Sequence, residues 1–270
     1  MLRDSISLFY VALIVSLAVL FLTPSLRSTL LGYGKTSAKS RNQPSWVPEW
    51  TWSILTKQVP RSWFLHFYIL GTLLNGVLLI LLNNNVSNTR TFPVSRKLLG
   101  ILFEIHLVRR MLEERFMMRP SPKSMMKIPH YLLGLAFYIP TTVAINTAQA
   151  TTHIHLGIGV FLIGNCLQLY HHWVLAHLRQ HTEKTPVYAI PRGGLFRFIC
   201  SPHYLCEWII YFSFALMSNF DTPLVLALIW TIVCLSISAD QTFSWYFRTF
   251  SPKLLSKQVP DWRRVIPFVW

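Results

Sequence analysis

Residues 5–22 (SISLFYVALIVSLAVLFL) run for eighteen positions without a charge. A helix that crosses a bilayer needs about 17–25 such residues, because in hydrocarbon the backbone must satisfy its own hydrogen bonds. Arg3 ahead of the run also fits a signal peptide, but the run is long and no small-residue cleavage pattern follows it cleanly. Six further apolar segments follow, at residues 63–82, 98–112, 131–150, 154–176, 204–218 and 223–245. The third and fifth of the seven are the least apolar, and only a short turn near Asn219 separates the last two. The chain is therefore expected to be an all-α integral membrane protein of about seven transmembrane helices, with six and eight as the alternative counts. Charged residues make up 13% of it, about half the share of a soluble domain. No internal repeat or soluble insertion interrupts the pattern, so residues 1–270 are expected to form a single polytopic membrane domain.

The formal net charge of +15 invites a nucleic-acid reading, and its distribution argues against one. With seven spans and the N-terminus outside, the inner side holds residues 27–61, 115–127, 179–197 and the tail from Arg248. Those segments contain 19 of the 25 Lys and Arg. The outer side holds four: Arg3, Arg90, Arg96 and Lys97. Such a split fixes orientation by the positive-inside rule. It places basic loops on the cytosolic face, where an anionic ligand can bind.

Cys166, Cys200, Cys206 and Cys234 show no CxxC spacing, and all lie in or near spans, so neither a disulfide framework nor a zinc site is expected. Histidines cluster between His153 and His181, and His177 and His181 are spaced to share a helix face. Membrane di-iron enzymes need several histidine boxes with HxxHH-type pairs, which this chain lacks, so no metal is expected. Glycine-rich dinucleotide and phosphate loops and the serine nucleophile elbow are also missing. Any nucleotide must then be held by the helical bundle and its basic loops. Asn85 opens a glycosylation sequon very close to a span.

Outside the spans, residues 23–61 read as a loop with short interfacial pieces, since Trp46, Trp50 and Trp52 suit the headgroup zone. Residues 187–198 (VYAIPRGGLFRF) read as a turn in which Gly193 and Gly194 permit positive φ or close backbone approach. The apolar, Pro-containing C-terminal segment suggests docking rather than a free tail.

Ionisable groups inside a membrane are costly and usually face the bundle interior. Here they fall into stripes. His106, Arg110 and Glu113 share one helix face; so do Asn165, Gln168, His172 and Arg179; so do His203, Glu207 and Tyr211. Taken alone, Arg179 reads equally well as an interfacial anchor, and Glu207 as a buried structural partner of His203. Three coincident stripes favour a buried polar cavity open toward the cytosol.

The last third of the chain carries a series of motifs. Residues 168–179 (QLYHHWVLAHLR) precede the IPRGGLF turn at 190–196, then SPHYLCE at 201–207 with Ile210 and Tyr211 after it, and WYF at 245–247. GYGK at 32–35, VPRSWFLHFY at 59–68 and HLVRR at 106–110 add to these. In this order they resemble the steroid 5α-reductase family, most closely its polyprenol reductase branch. The resemblance is dense from about residue 165 to 270. It implies seven spans around a cytosol-facing cofactor cavity, NADPH as hydride donor, and an endoplasmic-reticulum location with a luminal N-terminus and cytosolic C-terminus. It further implies an oxidoreductase acting on the CH–CH group of a polyprenyl lipid, supporting dolichol-linked protein N-glycosylation.

By position, the resemblance assigns Arg110, Gln168, His172, Arg179, Tyr188, His203, Glu207 and Tyr246 to the cofactor pocket and Lys35 to a cofactor phosphate. Tyr246, His66 and Glu207 become the catalytic candidates. Phe67, beside His66, stands where steroid-reducing members keep a carboxylate, which argues against steroid substrates. Thr242 and Phe243 stand where a histidine is usual, and His203 where asparagine is commoner. The competing readings are a membrane isoprenoid or phospholipid methyltransferase, which Ser201-Pro202-His203-Tyr204 partly fits, and a non-catalytic lipid-binding relative.

Overall fold

The computed structural model describes residues 1–23, 43, 45–84, 94–118, 120, 124–148, 153–178, 189–259, 262–267 and 269. Among these, seven helices reach 16 residues or more: α1 (Leu2–Leu22), α3 (Phe64–Asn84), α4 (Val94–Leu112), α5 (Ile128–Thr147), α6 (Ile154–His177), α7 (Pro202–Met217) and α8 (Thr222–Thr249). Two short helices, α2 (Glu49–Thr56) and α9 (Pro252–Gln258), flank them. The protein is an all-α, multi-pass membrane protein. Five of the seven, α1, α3, α5, α6 and α8, are long and apolar enough on their own to cross a bilayer.

The two that fall short do so for different reasons. Helix α4 carries Arg96, Lys97, Glu104, Arg109 and Arg110 along 19 residues. Arg96 and Lys97 belong to its first turns rather than to a separate outer loop. Helix α7 is apolar but only 16 residues long. The sequence pattern marks the third and fifth spans as weakest, yet the fifth, α6, qualifies through its 24-residue length.

Three tethers establish how the ends are arranged. Strands β1 (Gln58–Pro60) and β2 (Met125–Lys127) pair antiparallel, Val59 opposite Met126. They hold the starts of α3 and α5 side by side. Between α6 and α7, Ile199 bridges to Arg263, with Cys200 N–H donating to Arg263 O and Arg263 N–H to Phe198 O, both 2.9 Å. Trp262 Nε1 donates to Phe196 O at 2.5 Å. Trp262 and Arg263 are thus docked on this loop, whereas Ile266 and Val269 of the apolar end, expected to dock, are exposed. At the opposite end, Arg3 donates to Thr147 O and pairs with Asp221, joining the start of α1, the end of α5 and the start of α8. All three tethers fit seven alternating passes.

Because lipid tails are as apolar as leucine, close packing and polar contacts hold such a bundle together rather than burial from water. The central core follows that rule. Phe214 meets Phe103 and Phe161 edge-on, with ring centroids 5.8 and 5.6 Å apart. Tyr10 is fully buried, its hydroxyl 2.5 Å from Thr141 Oγ1. Small residues let α6 approach α7. A Cβ on Gly157 would lie 2.1 Å from Met217 Cγ, and one on Gly164 2.8 Å from Ile210 Cγ1.

Candidate active site

Helices α3, α4, α6 and α7 bring their polar residues to one place. The organising element is the end of α4, where a π-helical turn (Glu113–Met117) continues the helix, closed by Met118 N–H on Glu113 O at 2.7 Å. Arg109, Arg110, Glu113 and Glu114 then lie on one face at helical spacing. Arg109 bonds to Glu113 and Gln168, and its Nε donates to Asn165 Oδ1 at 2.9 Å. Arg110 bonds to Glu113, reaches Glu114 at 3.3 Å, and donates to Tyr68 Oη from Nη2 at 2.9 Å and Nε at 3.2 Å. Arg61 sits 3.5 Å from the other oxygen of Glu114.

His172 joins this cluster from α6. Its Nδ1 lies 2.6 Å from Glu113 Oε2 and 2.7 Å from Arg110 Nη1. One ring nitrogen serves one partner at a time, and the carboxylate accepts only, so the proton belongs on Nδ1 and is donated to Glu113. From α7, Glu207 accepts a bond from Gln168 and lies 3.4 Å from His106 Nε2. Gln168 Nε2 also donates to His203 O at 3.2 Å. Three guanidinium groups (Arg61, Arg109, Arg110) therefore meet two carboxylates (Glu113, Glu114), while Glu207 faces His106. Mutual pairing of this kind is what allows charges to stand inside a membrane at all.

The cluster forms one wall of a cavity of about 640 Å³, within the range of small-molecule sites. Arg61, Tyr68, Arg110, Glu114, Gln168, His172, His203 and Glu207 line that wall. The remaining lining is mostly apolar, from Leu17 and Leu20 of α1, Phe64 and Phe67 of α3, Phe137 of α5, and Trp230 and Leu235 of α8. Trp46, Pro48, Thr51 and Leu55 close it near α2, on the same side as β1 and β2. Trp46 and Trp50 also show large exposed faces there.

Of the residues singled out from sequence, Arg110, Gln168, His172, His203 and Glu207 come together at this wall. Glu207 partners His106 and Gln168, whereas His203 contributes its carbonyl to the network and a ring 5.4 Å from that of His172. Lys35, Arg179, Tyr188 and the Asn85 sequon lie outside the described residues. Tyr246 and His66 do not line the cavity. Tyr246 packs in a separate cluster with Trp262 and Phe250, at centroid distances of 5.0 and 5.8 Å. His66 is exposed on the outer face of α3, its Nδ1 3.1 Å from Tyr131 Oη.

The IPRGG turn is built as its glycines imply. Gly193 and Gly194 have φ of 96° and 50°, and a Cβ on Gly194 would lie 2.6 Å from the Tyr170 ring. That close seat lets Leu195 N–H donate to His171 Nε2 at 3.2 Å and fixes the approach to His203.

Sequence reasoning missed Arg109, Glu114, Tyr68 and Arg61. Arg109 was legible, being three residues after His106 and four before Glu113. Tyr68 and Arg61 carry no such signal, since they enter only because α3 packs beside α4.

The fold and its cavity define a multi-pass helical membrane protein with a charge-paired polar wall facing apolar space. Residues 116–270 match the 3-oxo-5-alpha-steroid 4-dehydrogenase family model, more than half of the chain. The chain belongs to that family. It is 29% identical to the polyprenal reductase of Saccharomyces cerevisiae over 275 residues, covering 100% of this chain and 97% of that protein. It is 26% identical to the polyprenal reductase of Mesocricetus auratus, over 90% of this chain and 88% of that one. With the Drosophila melanogaster polyprenal reductase it shares 25% identity over 88% of this chain and 82% of the other.

Proposed function

We propose that this protein reduces the double bond of the oxygen-bearing isoprene unit of a polyprenyl lipid, using NADPH, on the route to dolichol. In that role it would support dolichol-linked protein N-glycosylation from the endoplasmic-reticulum membrane, with its C-terminus in the cytosol. The observation that carries this reading is the cavity itself: a polar wall with paired charges opposite an apolar space sized for an isoprenoid. The names of its relatives point the same way.

The donor set of the polar wall suits the uncharged nicotinamide end of the cofactor. Glu207 can accept from a carboxamide, and Gln168, His172 and His203 supply further polar contacts. The guanidinium groups that line the wall, Arg61 and Arg110, already face carboxylates, so the phosphates call for other cations. Lys35 and Arg179 are proposed for that role, and Tyr188 for a further contact with the cofactor. Arg110, its donors engaged by Tyr68, Glu113 and Glu114, orients those three rather than reaching outward.

When bound, the cofactor supplies a hydride to the β-carbon. An isolated allylic alcohol is a poor acceptor because no carbonyl takes up the charge, so the aldehyde is the species reduced. The protein's tasks are to hold the lipid tail in the apolar part of the cavity, exclude water, and place a hydrogen-bond donor at the aldehyde oxygen where charge develops. A proton then reaches the α-carbon from water or a side chain.

The test is ligand-dependent thermal stability of the purified protein in detergent, followed by turnover of a short polyprenal such as farnesal. NADPH should raise the melting temperature and support reduction. Stabilisation by S-adenosylmethionine instead would indicate the methyltransferase reading, and NADPH binding without turnover a non-catalytic relative. In cells lacking the gene, polyprenol should accumulate over dolichol.

A further inference from the structure

The reductase reading leaves the donor to the aldehyde oxygen open, because neither Tyr246 nor His66 lines the cavity. The cavity wall contains a hydroxyl whose orientation is set by its neighbours. Tyr68, near the start of α3, is 8% exposed and lines the cavity. Its oxygen accepts two bonds from one guanidinium, Arg110 Nη2 at 2.9 Å and Nε at 3.2 Å. A phenol oxygen has two lone pairs and one proton. With both lone pairs turned to Arg110, the O–H must point away from the guanidinium. Among the described residues no acceptor for it is present within hydrogen-bond distance. The ring packs against Tyr138 at 5.8 Å, which holds the phenol in place. Arg110 is fixed in turn by Glu113 and Glu114.

Three other hydroxyls that line the cavity lack this arrangement. Thr231 donates to Ala227 O and Ser238 to Cys234 O within their own helix. Tyr211 Oη is buried without a hydrogen-bond partner among the described residues, so nothing fixes its proton.

We propose that Tyr68 is the catalytic residue that donates its hydroxyl proton to the substrate aldehyde oxygen, with Arg110 as its positioning residue. This rests on the reductase reading. As the β-carbon receives the hydride, the C=C pair shifts to Cα–C1 and the carbonyl pair to oxygen. The oxygen takes the Tyr68 proton, giving an enol and a tyrosinate facing Arg110. The enol then takes a proton at Cα from water and returns its O–H proton to Tyr68. One hydride and one proton are consumed, the saturated aldehyde leaves, and the tyrosine is regenerated.

Isotope-edited infrared spectroscopy of carbonyl-¹³C farnesal, bound to the full-length protein with NADP⁺ so that no turnover occurs, reads the contact directly. In the wild type the carbonyl stretch should move to lower frequency. Tyr68→Phe should lose most of that shift, and its kcat should fall about 100-fold with NADPH affinity retained. Replacing Tyr68 with 3-fluorotyrosine keeps the shape and strengthens the donor, so it should deepen the shift; this covers a Tyr68→Phe protein that does not fold. An unchanged shift in both variants overturns the proposal. Failure of the wild type to bind farnesal overturns the reductase reading instead.

Discussion

Arg109 and Arg110 are neighbours in sequence with different work to do. Arg110 lines the cavity beside Tyr68, whereas Arg109 turns behind the wall to Asn165, Gln168 and Glu113. Replacing Arg109 with Leu should leave Glu113 short of a partner and cost about 3–5 kcal/mol, the usual penalty for breaking one side of a buried pair, read as a lower melting temperature in detergent. Glu207→Ala should reduce turnover of farnesal by about 100-fold or more and weaken NADPH binding, since it removes a charged acceptor from the wall. His66→Ala gives the converse test. Its ring lies on the outer face of α3, so turnover should change less than about threefold, as expected for a substitution away from buried features. A large loss would restore His66 to the reaction. At this scale the sequence was legible wherever charge sat inside an apolar run, as with His106, Glu113 and Glu207. It was silent on Tyr68, because an aromatic residue in a span looks the same whether it packs or donates.

Among the elements, α6 and α7 set the distance across the polar wall, because one brings Gln168 and His172 and the other His203 and Glu207. Their approach depends on Gly157 and Gly164. Gly164→Leu would drive a side chain into Ile210 and the Cys206 carbonyl, at an expected cost of about 1–3 kcal/mol for overpacking. Misplacement of the wall should lower kcat by more than the stability loss implies, measured as turnover at saturating NADPH on protein that remains folded. The apolar runs revealed the existence and order of all seven long helices. They did not reveal that α4 ends in a π turn, or that β1 and β2 clip α3 to α5. Three-residue strands have no periodicity to read, and a π turn has the same composition as the helix it extends.

For the whole molecule, the tethers fix which ends lie together, and the 19-to-4 charge split predicts which side each faces. In a background without the four native cysteines, Ser251→Cys should react with a membrane-impermeant maleimide in sealed endoplasmic-reticulum vesicles. Leu2→Cys should react only after permeabilisation, and the reverse pattern would invert the proposed orientation. The docking of Trp262 and Arg263 onto Phe196, Phe198 and Cys200 has a consequence in time. During synthesis these residues emerge after α1 to α8, so the loop that leads into His203 is latched only once those helices have left the ribosome. A nascent chain can thus have α1 to α8 in the membrane while the polar wall is still unfinished, and a stop codon just before Trp262 would leave it so permanently.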